Sequence, residues 1–409
     1  MEAAKIEPSV QPNAMREGIA RLRRNLARFP GAPRMAEALA STFDRWRERS
    51  FPERRDVVAK IAAASGWSTQ LLDESIDALL TPFSRDALTR FASKVPPQTR
   101  IGGFIMPGNV PGAGMHELVA AMISGAAAFV KTSNREPVFF RAFANTLAKI
   151  DPAVGSLLEV TTFSRECEDL TRLMNRECDF MVALGDDASL AHLAGAARLF
   201  GFGSRTSGAV ISLSAPANLP ALAAATARDV TLFEQQGCLS PHHIFIEDAA
   251  GATARDFARS LADALTSLAV SLPASKLLFN TAAAIRRVRE RARWQSIGAR
   301  RGELFEGADM AWTVVFAPSA RFTISPGYRT VTVSSIRNCD DLASRLAPVA
   351  GRLEAFALAA APLSLASFLD TLAGAGVTYV CEPGKMQSPP LIWPHGGGGF
   401  LDFIAVPDE

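Results

Sequence analysis

The chain has 409 residues, a formal net charge of +2 and 48% hydrophobic residues. That length supplies two domains, or one α/β domain with a long extension, and the near-neutral charge excludes a general nucleic-acid binder, which needs a strong basic field. A membrane-spanning helix needs about eighteen or more uninterrupted apolar residues, and the richest stretch, Leu118 to Val130, is too short and too broken by glycine.

The N-terminal segment MEAAKIEPSVQPNAMREG has no apolar signal-peptide core. The five cysteines form no CxxC pair and show no Cys/His metal spacing. Together these features predict a reduced, cytoplasmic protein with free thiols and no bound metal.

The first hundred residues read as helical, with Ile19, Leu22, Leu26 and Phe29, then Val57, Val58, Ile61 and Ala62, then Leu71, Leu72, Ile76, Leu79 and Leu80 at helical spacing. From Arg100 the texture changes. Strands are expected near Ile101–Met106, Ala127–Lys131, Leu157–Thr161, Phe180–Leu184 and Ala209–Leu213, with helices near Gly114–Ser124, Pro137–Lys149, Ser164–Asn175 and Ala188–Leu199. This alternation implies βαβ units and a parallel sheet, which binds ligands at the carboxyl ends of its strands.

The Pro-containing segment SAPANLPA at 214–221 looks like a boundary. Beyond it a helix near Leu219–Asp229, a strand at His243–Glu247, a long helix over Ala252–Ala269 and strands at Trp312–Phe316, Thr330–Val333 and Val377–Cys381 are expected. The arginines between Arg286 and Arg301 read as a solvated helix face, with phosphates or an acidic carrier as a second reading. The glycines from Gly396 to Gly399 are a loop signal.

Four elements can carry chemistry. In TLFEQQGCLSPH, residues 231–242, Cys238 follows Gly237 at a turn before a strand, where a thiol can be exposed and a backbone can approach a substrate. Cys167, Cys178, Cys339 and Cys381 lack such a setting and read as ordinary small residues. MPGNVPG, residues 106–112, is a rigid strand-to-helix turn containing Gly108, with Asn109 at its centre offering an amide to an oxyanion; the plain alternative is that Asn109 only stabilises the turn. AFVKTSN, residues 128–134, delivers Lys131 and Ser133 to the end of a strand, where they could hold a ribose hydroxyl or a phosphate. Gly185 lies in a further strand-to-helix turn, and Gly203 in the loop GFGSRTSG that could cradle a phosphate. No GxGxxG fingerprint is present.

In combination, MPGNVPG, VKTS, RLFGFGSRTSG and above all DVTLFEQQGCLSPH resemble the aldehyde dehydrogenase superfamily, and within it the acyl-CoA reductase branch of LuxC-type fatty acid reductases. The resemblance runs from Arg100 to His243 and continues more loosely into EPGKMQSPPLIWPH. It implies an α/β, aldehyde-dehydrogenase-like fold with two Rossmann-like parallel-sheet domains and a helical N-terminal region. The expected division is 1–99 as helices belonging to the cofactor domain, 100–215 as the nicotinamide-cofactor domain, 216–390 as the catalytic domain and 391–409 as a tail serving oligomerisation.

The resemblance makes Cys238 the nucleophile and Asn109 the oxyanion donor, and puts Lys131, Ser133, Gly108, Gly185 and Gly203 at the cofactor. It implies reduction of an acyl-CoA or carrier-bound acyl thioester to an aldehyde by NADPH or NADH, a homo-oligomer, and an acyl-transferring synthetase as a partner. Ser133 and Asn134 stand where many relatives carry a ribose-binding acid, which favours NADPH. Two departures matter. Aldehyde-oxidising members carry a water-activating glutamate before the catalytic domain, and the stretch from Leu199 to Ser204 has no acid; this argues against oxidation to a free acid. The branch often has a histidine and an aspartate after the tryptophan, whereas His395 is followed here by glycine. His242 is a candidate for proton transfer by position alone. An acyl-phosphate reductase of the same fold and a non-catalytic scaffold subunit are the competing readings.

Overall fold

A computed structural model describes residues 11–95, 98–193, 198–212, 218–248, 250–297 and 302–405. It begins with helices α1 (Pro12–Leu26), α2 (Ala32–Arg47), α3 (Pro52–Ser65), α4 (Thr69–Leu80) and α5 (Arg85–Ala92). Their starts are encoded locally. Proline sits in the first turn of α1, α2 and α3, where its missing N–H is harmless. The Ser68 and Ser84 hydroxyls accept the amides of Leu71 and Ala87 at 3.2 Å and cap α4 and α5.

The first α/β unit follows: β1 (Arg100–Ile105), α6 (Met115–Ile123), β2 (Ala126–Thr132), α7 (Phe139–Ile150), α8 (Pro152–Gly155), β3 (Leu158–Thr162), α9 (Glu168–Glu177), β4 (Phe180–Leu184), α10 (Asp187–Ala191) and β5 (Leu199–Phe202). The strands make one parallel sheet in the order β3-β2-β1-β4-β5. Every residue of β2 is buried, as expected for a parallel strand covered on both faces. One core joins this sheet to the N-terminal helices, with Ile19, Phe43, Trp46 and Leu72 in the same cluster as Phe104, Phe129 and Phe143.

The second unit contains β6 (Thr206–Ser212), α11 (Leu219–Thr231), β7 (Pro241–Glu247), α12 (Ala252–Ser271), α13 (Phe279–Ser296), β8 (Glu303–Glu306), β9 (Thr313–Phe316), β10 (Thr330–Ile336), α14 (Cys339–Leu346), β11 (Leu353–Ala359), α15 (Pro362–Gly374) and β12 (Tyr379–Cys381). Its seven-stranded sheet runs β12-β11-β6-β7-β10-β9-β8, and only the β8–β9 pair is antiparallel. Separate apolar clusters cover its two faces, one around Ile244, Phe257 and Val331, the other around Phe245, Leu346 and Phe356.

Three local expectations change. The helix expected over Ala188–Leu199 stops at Ala191, and Leu199 opens β5. β6 pairs with β7 and β11 rather than with the first sheet, so the chain changes sheets between Phe202 and Thr206; residues 213–217 of the Pro-rich segment lie outside the described residues. The arginine-rich stretch is not a uniformly solvated face. Arg289 is buried and donates to Thr313 Oγ1 and the Trp312 carbonyl, both at 2.9 Å, while Arg300 and Arg301 lie outside the described residues.

The C-terminal segment folds back onto its own first unit. In α16 (Phe400–Ala405), Phe400 and Phe403 pack on Phe200, and Gln98 donates to the Ala405 carbonyl at 2.9 Å. Residues 382–399 therefore cross from one sheet to the other as a strap over the seam.

Candidate active site

The segment before Cys238 is an unusual piece of backbone. After α11, Phe233, Glu234 and Gln235 all take positive φ, at 55°, 50° and 58°. Three consecutive non-glycine residues in the left-handed region are costly and persist only where surroundings fix them. Here each is fixed. The Phe233 amide donates to Ser75 Oγ on α4 at 3.0 Å, and Leu232 and Phe233 insert into the first core. The Glu234 carboxylate pairs with Arg329 at 3.0 Å, with both side chains fully buried. The Gln235 amide donates to the Pro241 and Thr330 carbonyls at 2.7 and 2.9 Å and accepts from the Thr330 amide at 2.8 Å. The FEQQ residues are thus the foundation of the cysteine turn.

Cys238 stands on this foundation, half-buried, at the seam between the units. Its Sγ lies 3.9 Å from Nε2 of His395. Nδ1 of the same ring meets Glu117 Oε1 at 2.7 Å. Glu117 is in the first turn of α6 and is 4% exposed. Three distant parts of the chain so form a cysteine–histidine–carboxylate series. Burial works against charge on His395, but Glu117 and the hydrogen bond to Cys238 outweigh it and push the imidazole up to about 10. Burial likewise disfavours the Glu117 carboxylate, and the His395 cation overcomes it and holds Glu117 below the usual carboxylate range.

The imidazole is clamped. Phe202, at the end of β5, stacks on it at 4.1 Å between centroids, and Trp393 at 4.5 Å. The stretch that lacks the water-activating glutamate thus puts an aromatic ring against the histidine instead. The strap is fixed beside it: the Gly396 amide donates to Glu354 Oε1 at 2.9 Å, and Arg205 donates to the Gly396 carbonyl at 2.7 Å. Further back, the Asp229 carboxylate accepts the amides of Gly384 and Met386 at 2.6 and 3.1 Å and ties the strap to α11.

The MPGNVPG turn reaches the same place. Asn109 is exposed, and its side-chain amide donates to the Gln236 carbonyl at 2.7 Å, two residues before the cysteine. The imidazole at Cys238 is that of His395, not that of His242. His242 Nδ1 sits 2.8 Å from Ser325 Oγ, and burial pushes this ring down to about 4. His243 is bound to Ser334 and Thr323 and is held at about 3 by burial and then by Arg345. Among the other cysteines, burial pushes Cys178 and Cys381 up to about 12, while Cys167 is exposed.

The remaining predicted residues gather at one edge of the first sheet. Lys131 is the last residue but one of β2 and Ser133 follows the strand; Gly108 lies just past β1, Gly185 just past β4 and Gly203 just past β5. Strand order reverses between β1 and β4, which is where open α/β sheets bind nucleotides. A Cβ on Gly108 would stand 2.4 Å from Ser133 Oγ, so glycine is required there. Lys131 is buried, its Nζ lies 5.4 Å from the Phe163 ring centroid, and burial pushes it below its ordinary range. Among the described residues no carboxylate is within ion-pair distance of it. A desolvated ammonium, a hydroxyl and glycine-lined turns suit the phosphates and riboses of a dinucleotide. At Gly203 the arrangement differs, because the Asp187 carboxylate already accepts the Ser204 amide at 2.8 Å.

The parallel first sheet and the mostly parallel second sheet, with the cysteine turn at their seam, define an aldehyde-dehydrogenase-like α/β protein. Among solved structures, the chain superposes on a NAD-dependent benzaldehyde dehydrogenase from Corynebacterium glutamicum with a TM-score of 0.70 at 13% identity, covering 92% of this chain and 86% of the other. It superposes on an aldehyde dehydrogenase from Bacillus cereus, solved as its NAD+ complex, with a TM-score of 0.68 at 12% identity, covering 91% and 81%. The family is more particular: the acyl-CoA reductase (LuxC) model matches residues 69–405, and the chain belongs to that family. Its relatives include a long-chain acyl-protein thioester reductase from Aliivibrio fischeri, 23% identical over 290 residues, and long-chain acyl-protein thioester reductase 2 from Photobacterium leiognathi, 22% identical over 288 residues. In both cases 68% of this chain matches 57% of the relative, so the similarity spans little more than half the length of these relatives.

Proposed function

We propose that this chain reduces an acyl thioester, acyl-CoA or a carrier-bound fatty acyl group, to an aldehyde, with Cys238 as the acyl acceptor. The observation that carries the reading is the half-buried Cys238 sulfur 3.9 Å from an imidazole that a buried carboxylate holds. Membership of the acyl-CoA reductase family supports the reaction class, and the names of the two relatives support a long-chain acyl group.

In this reading the Cys238 thiolate attacks the thioester carbonyl. Asn109 has a second amide N–H besides the one given to Gln236, and with the Cys238 backbone amide it steadies the oxyanion, an effect of about 3 kcal/mol per donor. Phe202 and Trp393 exclude water from the side of the imidazole. Lys131, Ser133, Gly108 and Gly185 hold a nicotinamide dinucleotide at the edge of the first sheet, with Gly203 bordering the crevice. That cofactor, when bound, supplies the hydride. NADPH is favoured over NADH, because Glu136, the nearest acid after Lys131 in sequence, is turned back to accept the amides of Val138 and Phe139 at 3.0 and 2.9 Å. A cytoplasmic homo-oligomer, fed by a carrier or an acyl-transferring synthetase, completes the reading. Among the described residues no helix is long and apolar enough to cross a membrane.

The test is loss of absorbance at 340 nm with NADPH or NADH and a panel of acyl-CoAs, beside a Cys238→Ala control. Thioester-dependent oxidation with aldehyde formed, and a dead control, is the expected result. Turnover with acyl phosphates alone would replace the thioester reading, and an inert protein with an unreactive thiol would point to a scaffold.

A further inference from the structure

The geometry points to His395 as the proton donor of the thioester chemistry, and to Glu117 as the positioning residue that keeps the imidazole protonated and so shields the acyl-cysteine from water. This rests on the proposed role of Cys238 as acyl acceptor and extends it to two residues that the sequence reading left without a role.

Glu117 is buried in the first turn of α6. A carboxylate that is 4% exposed needs a cation or a proton of its own. Among the described residues its one ion-pair partner is His395, at 2.7 Å. His116, its neighbour on α6, cannot substitute, since burial pushes that ring down to about 4 and leaves it neutral. Removing the proton from His395 would strand a buried charge. The aromatic faces of Phe202 and Trp393, stacked on the imidazole, favour a cation there as well. Of the other charged groups facing the strap, Arg205 and Glu354 meet each other at 3.5 Å and hold the backbone of Gly396 rather than the ring, and Asp229 holds the amides of Gly384 and Met386. Tyr379 stacks edge-on to Trp393 and stays a neutral phenol, with burial raising it further.

A protonated His395 has two consequences. Its Nε2–H faces Sγ at 3.9 Å and is placed to donate toward it. When Sγ forms its bond to the carbonyl carbon, the bond from that carbon to the carrier sulfur breaks and the electron pair leaves with that sulfur. The proton passes from Nε2 to the departing sulfur, and the carrier leaves as a thiol. The neutral imidazole, still beside ionised Glu117, takes up a proton from solvent. The acyl-cysteine then faces an imidazolium with no lone pair to accept a proton from water, so hydrolysis has no base. With Gln at 117 the imidazole rests neutral. It can then take a proton from water as the water oxygen bonds to the acyl carbon, and return that proton to Sγ as the acyl–sulfur bond breaks. Cys238 and His395 would then act together as a thioester hydrolase.

The experiment loads the full chain with a radiolabelled long-chain acyl-CoA, without nicotinamide cofactor, and follows the acyl-cysteine and the free fatty acid. Alongside it, the pH profile of iodoacetamide alkylation at Cys238 is read by peptide mass spectrometry. In wild type the acyl-enzyme should persist and alkylation should remain fast well below the ordinary thiol range. Glu117→Gln should release fatty acid at least tenfold faster and move the alkylation midpoint up toward about 8.5. His395→Asn should move that midpoint too, yet hydrolyse no faster than wild type, and Glu117→Asp should restore the wild-type profile. Hydrolysis at the wild-type rate in Glu117→Gln, or an unmoved midpoint in both variants, overturns the proposal. If a variant does not fold, histidine NMR on the wild type decides: a His395 midpoint well above 7 supports the proposal, and one at or below about 6.5 overturns it. Failure of wild type to form any acyl-enzyme overturns the Cys238 reading instead, and is distinguishable because the titration does not depend on substrate.

Discussion

At the scale of single residues, the candidate site consists of the Cys238 sulfur, the His395 imidazole beside it and the Glu117 carboxylate that meets the imidazole. Cys238 was legible from its motif, because a glycine–cysteine turn after a helix and before a strand is a local pattern. His395 and Glu117 were not, because they lie 157 and 121 positions away in sequence and meet the sulfur only through the fold. Their signals were present but weak: a histidine after Trp393-Pro394, and an acid in the first turn of the helix that follows MPGNVPG. The pair makes stability depend on pH with a definite sign. The folded-state value of His395 is raised to about 10, so its contribution is complete below about 6.5 and is lost as pH rises through 10. Glu117 is shifted down, so its contribution is present above the ordinary carboxylate value and fades as pH falls below it. The difference in thermal stability between wild type and His395→Asn should therefore shrink between pH 7 and 10; a difference that stays constant across that range would contradict the ion pair. If Lys131 holds the dinucleotide as proposed, Lys131→Met removes one charged hydrogen bond to it, an effect of about 1.5–3 kcal/mol. Steady-state kinetics should show KM for NADPH raised roughly 10- to 100-fold with kcat little changed; an unchanged KM would remove Lys131 from the cofactor site.

At the scale of elements, the cysteine turn depends on left-handed backbone that no glycine announces. Phe233, Glu234 and Gln235 are held by tertiary partners, so local propensity could not reveal them. Arg329→Met would leave Glu234 buried without its cation. That should cost about 3–5 kcal/mol in urea unfolding, and a loss under about 1 kcal/mol would show that the pair is dispensable. Most strands of the first sheet were readable because parallel strands appear as short apolar runs between turn signals. β5 was lost inside an expected helix because alanine and leucine precede it. β11, LEAFALA, has no alternation and consists largely of good helix formers, yet it lies in the sheet between β6 and β12.

At the scale of the whole molecule, the strap from β12 to α16 links the two sheets and brings His395 to the seam. Its glycines are legible as a loop, but where the loop goes is set by Arg205, Glu354, Asp229 and the aromatic cluster around Phe200. Gly396 has φ of +65°, and a Cβ there would lie 2.8 Å from Phe202. Gly396→Val should displace the strap and slow alkylation of Cys238 at pH 6 by about tenfold or more, the effect of removing an imidazolium neighbour from a thiol; an unchanged rate would mean that the strap does not position the histidine. The most direct measurement of all is intact-protein mass spectrometry after mixing the chain with a long-chain acyl-CoA in the absence of cofactor. A gain of one acyl group that maps to Cys238 and is absent from Cys238→Ala is the predicted result. An acyl group on another residue, or thioester-dependent cofactor oxidation that survives in Cys238→Ala, would contradict it.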